Sequence, residues 1–298
     1  MQIVATENTI YTSPDASKIF CYTPSIIVTP TGRLIVSFDL GGEGVKSIEG
    51  HKSSRAGGSR FGQGKIFISD DNGQKWTFVQ NFPFWHARLF TIGNSIYLIG
   101  HAGDICIMKS EDNGESWSDT YFLTHGEKWH SSACNVLFSN GNVYLAMEQR
   151  CRLNEVTGWD VAGLSPTLFR ACVEDNLCLA SSWSRSEKFI YKEVFDGAKL
   201  DFFGIPFYDC ETNKPKEIAT GINNAPLGWL EANVVKFVDK DHIWHTDLKE
   251  VFHLFLRAHT GGVNYAHLFK IEIQDDQSMI PSLEHTPSGQ KISYIPFP

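Results

Sequence analysis

The sequence predicts an all-β protein, a β-propeller built from four-stranded antiparallel blades, and three observations lead there. A short phrase occurs twice, Ser69-Asp70-Asp71-Asn72-Gly73-Gln74-Lys75-Trp76 and Ser110-Glu111-Asp112-Asn113-Gly114-Glu115-Ser116-Trp117, with Asp71 and Asp112 41 residues apart. Two turn glycines, Gly93 and Gly141, repeat at a similar interval of 48 residues, and both intervals fit a blade of about 40–50 residues. No stretch of useful length shows the apolar spacing of an amphipathic helix.

Both phrases read Ser-x-Asp-x-Gly-x-x-Trp and follow an apolar run, Ile66-Phe67-Ile68 and Ile105-Cys106-Ile107-Met108. The spacing predicts a hairpin whose Asp carboxylate accepts turn N–H groups while Gly takes a left-handed conformation. The Trp then packs back on the strand pair.

Taken in order, residues 2–12 alternate weakly and read as a lone strand able to close a ring. Tyr22–Thr29 and Arg33–Asp39 flank the Pro30-Thr31-Gly32 turn and open the first blade. Residues 41–64, rich in Gly and cationic side chains, read as a surface loop. Arg88–Ile92, Ile96–Gly100 and the second Asp phrase make the second blade. Ala133–Phe138 and Val143–Glu148 begin the third, whose last hairpin keeps Trp183 and has lost the Ser-x-Asp-x-Gly core. Residues 195–227 break the rhythm and read as an insertion. A fourth blade starts at Gly228–Phe237 and runs through Val251–Arg257 and Ala266–Ile273, and residues 282–298 read as the start of another. One propeller domain spanning 1–298 follows, with four to five blades visible and the ring incomplete at its C-terminal side.

Composition narrows the partners. A net charge of −8 without a basic stripe argues against nucleic acid. Seven cysteines without regular spacing do not form a disulfide framework, and Cys21, Cys106, Cys134 and Cys172, flanked by apolar residues, read as buried thiols. No ligand spacing calls for a metal, and nothing calls for a cofactor. No run of 18 apolar residues predicts a membrane span, and residues 1–5 lack the features of a signal peptide. Localisation stays open, since a removed leader would be invisible.

Blade geometry localises the chemistry. First-strand entries and second-strand exits line one face, whereas the Asp phrases lie on the opposite one and read as structural. The entries carry Tyr22 and Thr23, then His86 and Arg88, then Trp129, His130 and Ser131, then Trp229, Glu231 and Asn233. The exits carry Asp39, His101, Glu148 and Arg150. Such a density of imidazole, carboxylate and guanidinium exceeds what a core needs. Trp129 and Trp229 have faces suited either to sugar stacking or to the core.

The Asp phrases, with Tyr22-Thr23-Pro24-Ser25-Ile26-Ile27 and Gly32-Arg33-Leu34, resemble the sialidase superfamily of β-propellers. Within it, Trp129-His130-Ser131-Ser132-Ala133 and Gly228-Trp229-Leu230-Glu231-Ala232-Asn233-Val234-Val235 are similar to a bacterial sialidase-like subgroup. Some members of that subgroup cleave L-rhamnose from glucuronic acid, and relatives are polysaccharide lyases acting beside uronic acids. The resemblance covers roughly residues 20–298, leaving 195–227 unmatched, and the relatives have further blades. True sialidases hold the substrate carboxylate with arginines, the first in an Arg-Ile-Pro phrase. Tyr22-Thr23-Pro24 stands there instead, and a phenol does not replace a bidentate guanidinium. Sialic acid is therefore not the expected substrate.

The resemblance implies an oligo- or polysaccharide substrate and cleavage beside a uronic acid. His130 first, then His101 or His86, would move the proton, since an imidazole titrates near working pH. Arg150, helped by Arg88, would neutralise the carboxylate. Glu148 and Glu231 are alternatively the carboxylate pair of an ordinary glycosidase. Hydrolysis, β-elimination and glycan binding without turnover all remain open from sequence.

Overall fold

The computed structural model describes residues 7–54, 61–130, 134–151, 164–188, 190, 208–209, 214–215, 228–236, 251–260, 263–283 and 295–296. Among these the only helical segments are two short 3₁₀ turns, Glu43–Ser47 and Ala180–Ser182. Everything else is strand or connection, as the missing helical periodicity requires. The protein is an all-β propeller of four-stranded antiparallel blades.

In the first sheet β1 (Phe20–Val28) pairs with β2 (Leu34–Gly41), β3 (Ser53–Ser54) lies against β4 (Phe61–Ser69), and β5 (Thr77–Phe82) completes it beside β4. The second sheet runs β6 (Trp85–Ile92), β7 (Ser95–Ala102), β8 (Asp104–Ser110), β9 (Tyr121–Phe122). In the third, β10 (Trp129–His130) and β11 (Val136–Ser139) share the first-strand position beside β12 (Asn142–Arg150), followed by β13 (Leu164–Cys172) and β14 (Trp183–Arg185). A ribbon of β15 (Tyr208–Asp209) and β16 (Lys214–Pro215) precedes the fourth sheet. That sheet orders β17 (Gly228–Val235), β18 (Val251–Thr260), β19 (Val263–Ile273) and β20 (Met279–Leu283). The remainder of the predicted 195–227 insertion lies outside the described residues.

The chain divides into two compact units, residues 1–126 with 178–180, and residues 127–177 with 181–298. Each unit holds two blades that share a core. In the first, Ile35 and Ile66 of one sheet meet Leu89, Leu98 and Met108 of the next, around Phe82 and Phe84. In the second, Tyr144, Ala146 and Leu168 of the third sheet pack on Trp229, Val234, Phe252 and Phe269 of the fourth. The Tyr144 and Phe252 rings stack at 4.1 Å. Side chains alternate along a strand, so each second strand can present one apolar face to each neighbouring layer.

Both Asp phrases fold alike, each joining the third and fourth strands of its blade. Ser69 Oγ donates to Asp71 Oδ1 (2.9 Å) and accepts from Gly73 N (2.9 Å), while Lys75 N donates to Asp71 Oδ1 (2.8 Å). Ser110, Asp112, Gly114 and Ser116 N repeat the set at 2.9 Å each. Asn72-Gly73 and Asn113-Gly114 all have positive φ, between 58° and 86°, which is why Asn-Gly stands at both places. In the degraded third hairpin Trp183 Nε1 still donates to a loop carbonyl, that of Leu177, at 2.9 Å. Arg33 then links the two phrases. Its guanidinium takes both Asp70 oxygens (2.6 and 2.9 Å), and Nη1 donates to Asn113 O and Glu115 Oε1, both at 3.1 Å.

Four sequence expectations change. Residues 7–12 form no strand; Tyr11 instead caps the first sheet, 5.5 Å from the Phe38 ring. Residues 61–64 are strand rather than loop, and at Gly64 a Cβ would lie 1.9 Å from the Phe82 ring, so an aromatic cover occupies the side-chain space. Cys106 and Cys134 are buried as expected, Cys21 is exposed and Cys172 half-buried. Finally β21 (Ile295–Pro296) adds to β19 of the fourth sheet rather than opening a new blade.

Candidate active site

Three of the four first strands carry the same irregularity at the same height. Between Tyr22 and Ser25, Trp85 and Arg88, and Leu230 and Asn233, the first strand has one residue more than its partner. The bulged residues are Thr23 (φ 48°), His86 (φ 51°) and Glu231 (φ 59°). A positive φ is uncommon for any residue but Gly and an outlier for β-branched Thr, and such strain clusters where a side chain must be aimed. The corresponding stretch of the third blade, 131–133, lies outside the described residues, Ser131 among them.

In the first unit the bulge brings His86 onto His101. Nδ1 of His86 lies 3.1 Å from Nε2 of His101, so one ring donates and the other accepts. His101 is buried and His86 half-buried. The bulge is held by Asp39 of the preceding blade, fully buried, whose Oδ1 accepts His86 N at 3.1 Å. Three residues further along the strand, Ser25 Oγ accepts Leu89 N at 3.0 Å. Arg88 is buried and donates from Nη1 to Ala87 O at 2.9 Å.

The second unit repeats the device with different side chains. His130 and Glu148 face each other across β10 and β12, with His130 Nδ1 3.0 Å from Glu148 Oε2. The other oxygen, Oε1, accepts Ala232 N at 2.9 Å, inside the bulge that displays Glu231. Glu148 is 1% exposed. Asn135 Oδ1 accepts Val234 N at 2.9 Å, as Ser25 Oγ does for Leu89, and Asn135 N in turn donates to Asn233 Oδ1 at 3.0 Å. Arg150, half-buried, stands two residues beyond Glu148 on an unbroken stretch of β12 and so on the same face.

The two tryptophans belong to the core. Trp229 is 0% exposed and meets Phe269 edge-on at 4.8 Å. Trp129 is buried against Phe169 (5.2 Å), donates from Nε1 to Glu127 Oε2 (2.9 Å), and has the Arg185 guanidinium 5.9 Å from its ring centre. Neither ring offers a face for sugar stacking. His86 and His101 thus touch in the first unit, which also holds Arg88, and His130 touches Glu148 in the second, which also holds Arg150, Glu231 and Asn233. Asn135 and Ser25 escaped the sequence reading, because their role depends on a backbone partner 99 and 64 residues away. No group of three His, Cys, Asp or Glu arranged to hold a metal ion occurs among the described residues.

Comparison with protein-family models and with curated proteins returned no match. Among solved structures, an α-L-arabinofuranosidase from Lactobacillus brevis is similar at TM-score 0.50 and 12% identity, over 91% of this chain and 80% of that one. An α-L-arabinanase from Penicillium chrysogenum is similar at TM-score 0.45 and 11% identity, over 92% and 69%. An ulvan lyase is similar at TM-score 0.48 and 14% identity, and this chain spans 59% of its length. At these identities what is shared is the propeller, on which unrelated activities are built.

Proposed function

We propose that the protein is a carbohydrate-active enzyme that breaks a glycosidic bond beside a uronic acid, for which L-rhamnose linked to glucuronate is the model substrate. The observation that carries this reading is the buried His130–Glu148 contact of 3.0 Å with Arg150 on the same strand face. An imidazole oriented by a carboxylate is equipped to take and return a proton, and a nearby guanidinium suits a carboxylate-bearing sugar. The sialidase-like phrases around His130 and Glu231 point to the same substrate class, and the Lactobacillus brevis arabinofuranosidase shares the scaffold.

Hydrolysis is the first reading. In it His130 assists departure of the leaving oxygen and activation of water. One observation favours a second, β-elimination at the uronate: both oxygens of Glu148 are engaged, so the Glu148/Glu231 carboxylate pair of an ordinary glycosidase lacks a free first member. In elimination the C5 proton passes to the histidine, the C5–H electron pair forms the C4=C5 double bond, and the C4–O pair leaves with the oxygen.

Product analysis on rhamnose- and uronate-containing polysaccharides tests both. Free rhamnose without ultraviolet absorbance supports hydrolysis, and an absorbing unsaturated uronate supports elimination. His130→Ala and Arg150→Ala should each lower turnover by at least about 10²-fold. Wild-type binding without turnover would instead make the protein a glycan-binding module, and full turnover in both variants would sink the site assignment.

A further inference from the structure

We propose that Glu148 is a positioning residue rather than a reacting carboxylate, setting the tautomer of His130 and pinning the Glu231 bulge with its two oxygens. The catalytic consequence rests on the reading above; the tautomer assignment stands on geometry alone. A carboxylate at this place only accepts hydrogen bonds. Oε1 is taken by Ala232 N at 2.9 Å and Oε2 lies 3.0 Å from His130 Nδ1, so the imidazole carries its proton on Nδ1. The lone pair is then on Nε2, and a proton taken from water or from a sugar carbon arrives there. The resulting cation is balanced by Glu148 through the bond it already makes. Enclosure at 1% exposure keeps the carboxylate from meeting a sugar carbon.

The first unit carries the parallel arrangement, in which buried Asp39 accepts the bulge amide of His86 while His86 contacts His101. An acidic side chain near the end of a second strand thus fixes the bulge of the following blade in both units. Its chemical work is to hold a strained backbone and, in the second unit, also to choose which imidazole nitrogen carries the proton.

Glu148→Gln provides a sharp test. The amide oxygen must stay on Ala232 N, which turns the NH₂ group toward His130 Nδ1. That nitrogen then has to accept, and the imidazole proton moves to Nε2. Long-range nitrogen–proton correlation spectra of the 15N-labelled full chain, with His130 assigned through His130→Gln, should show Nδ1–H in the wild type and Nε2–H in Glu148→Gln. Turnover should fall about 10³–10⁴-fold with KM little changed, the size of loss a wrong tautomer causes in a Ser-His-Asp triad. The melting temperature should stay near wild type for Glu148→Gln and drop for Glu148→Ala, which releases Ala232 N.

Nε2–H in the wild type, or an unchanged tautomer in Glu148→Gln, would overturn the proposal. So would a covalent glycosyl ester on Glu148 trapped with a fluorinated substrate. The wild-type spectrum decides even if the variant fails to fold. A tautomer inversion in a protein that turns over no polysaccharide would support the positioning role and remove the enzymatic reading.

Discussion

At Trp229 the indole sits sealed in the second unit's core, edge-on to Phe269, in a strand where Leu230, Ala232 and Val234 are buried too. Truncating a fully enclosed aromatic removes transfer energy and leaves a cavity, so Trp229→Ala should cost about 3–5 kcal/mol in denaturant unfolding. A variant with wild-type stability and lost glycan binding would restore the stacking role. The sequence places Trp229, Glu231 and Asn233 together at the entry of the fourth blade, and in an unbroken strand such residues would share one face. The bulge at 230–233 breaks that alternation, and no residue type announces it. His130 with Glu148, and His86 with His101, were readable as site groups because each pair sits at the predicted entry and exit of one blade. Which oxygen of Glu148 serves which partner was not, since Ala232 lies 84 residues away.

The Asp phrases show the opposite balance, at the level of a single hairpin. The hydrogen bonds within each phrase span four residues or fewer, so the Asp carboxylate's bond to a turn N–H and the left-handed Gly were legible. Folding holds the Asp71 carboxyl below the ordinary 3.8, chiefly through Lys75 N, and Asp112 likewise, chiefly through Ser116. A carboxyl whose pKa is lowered by folding stabilises the fold at pH above its unfolded value and stops doing so as pH falls through the folded value. Stability should therefore decline as pH drops below about 4, and the double variant Asp71→Asn/Asp112→Asn should show a shallower decline between pH 4 and 2. An unchanged acid slope would remove these turns from the account. The 61–64 segment failed as a prediction for a non-local reason. Glycines there admit the rings of Trp85 and Phe82, which arrive from outside the strand.

For the chain as a whole, period and turn chemistry revealed the propeller and the order of its blades, whereas the bonds between neighbouring blades were silent in the sequence. They join positions 47 to 99 residues apart and use ordinary Ser, Asn, Asp and Glu. The net charge of −8 carries its own prediction. Under the proposed function, an anionic polysaccharide would be repelled by the molecule at long range even where Arg150 attracted it locally. Screening repulsion should raise kcat/KM roughly twofold to tenfold between about 20 and 150 mM salt. A fall over that range would mean that a cationic surface, rather than one guanidinium, steers the substrate.

The left-handed bulge recurs in three blades with a different occupant each time: threonine, histidine and glutamate. At His86 and Glu231 the bulge is held by an acidic side chain of the preceding blade, Asp39 and Glu148, and not by the residue it presents. Replacing the occupants of positions 86 and 231 would therefore change what each bulge presents while the carboxylates that hold it stay in place, a route by which a lineage of such proteins could switch chemistry with two letters.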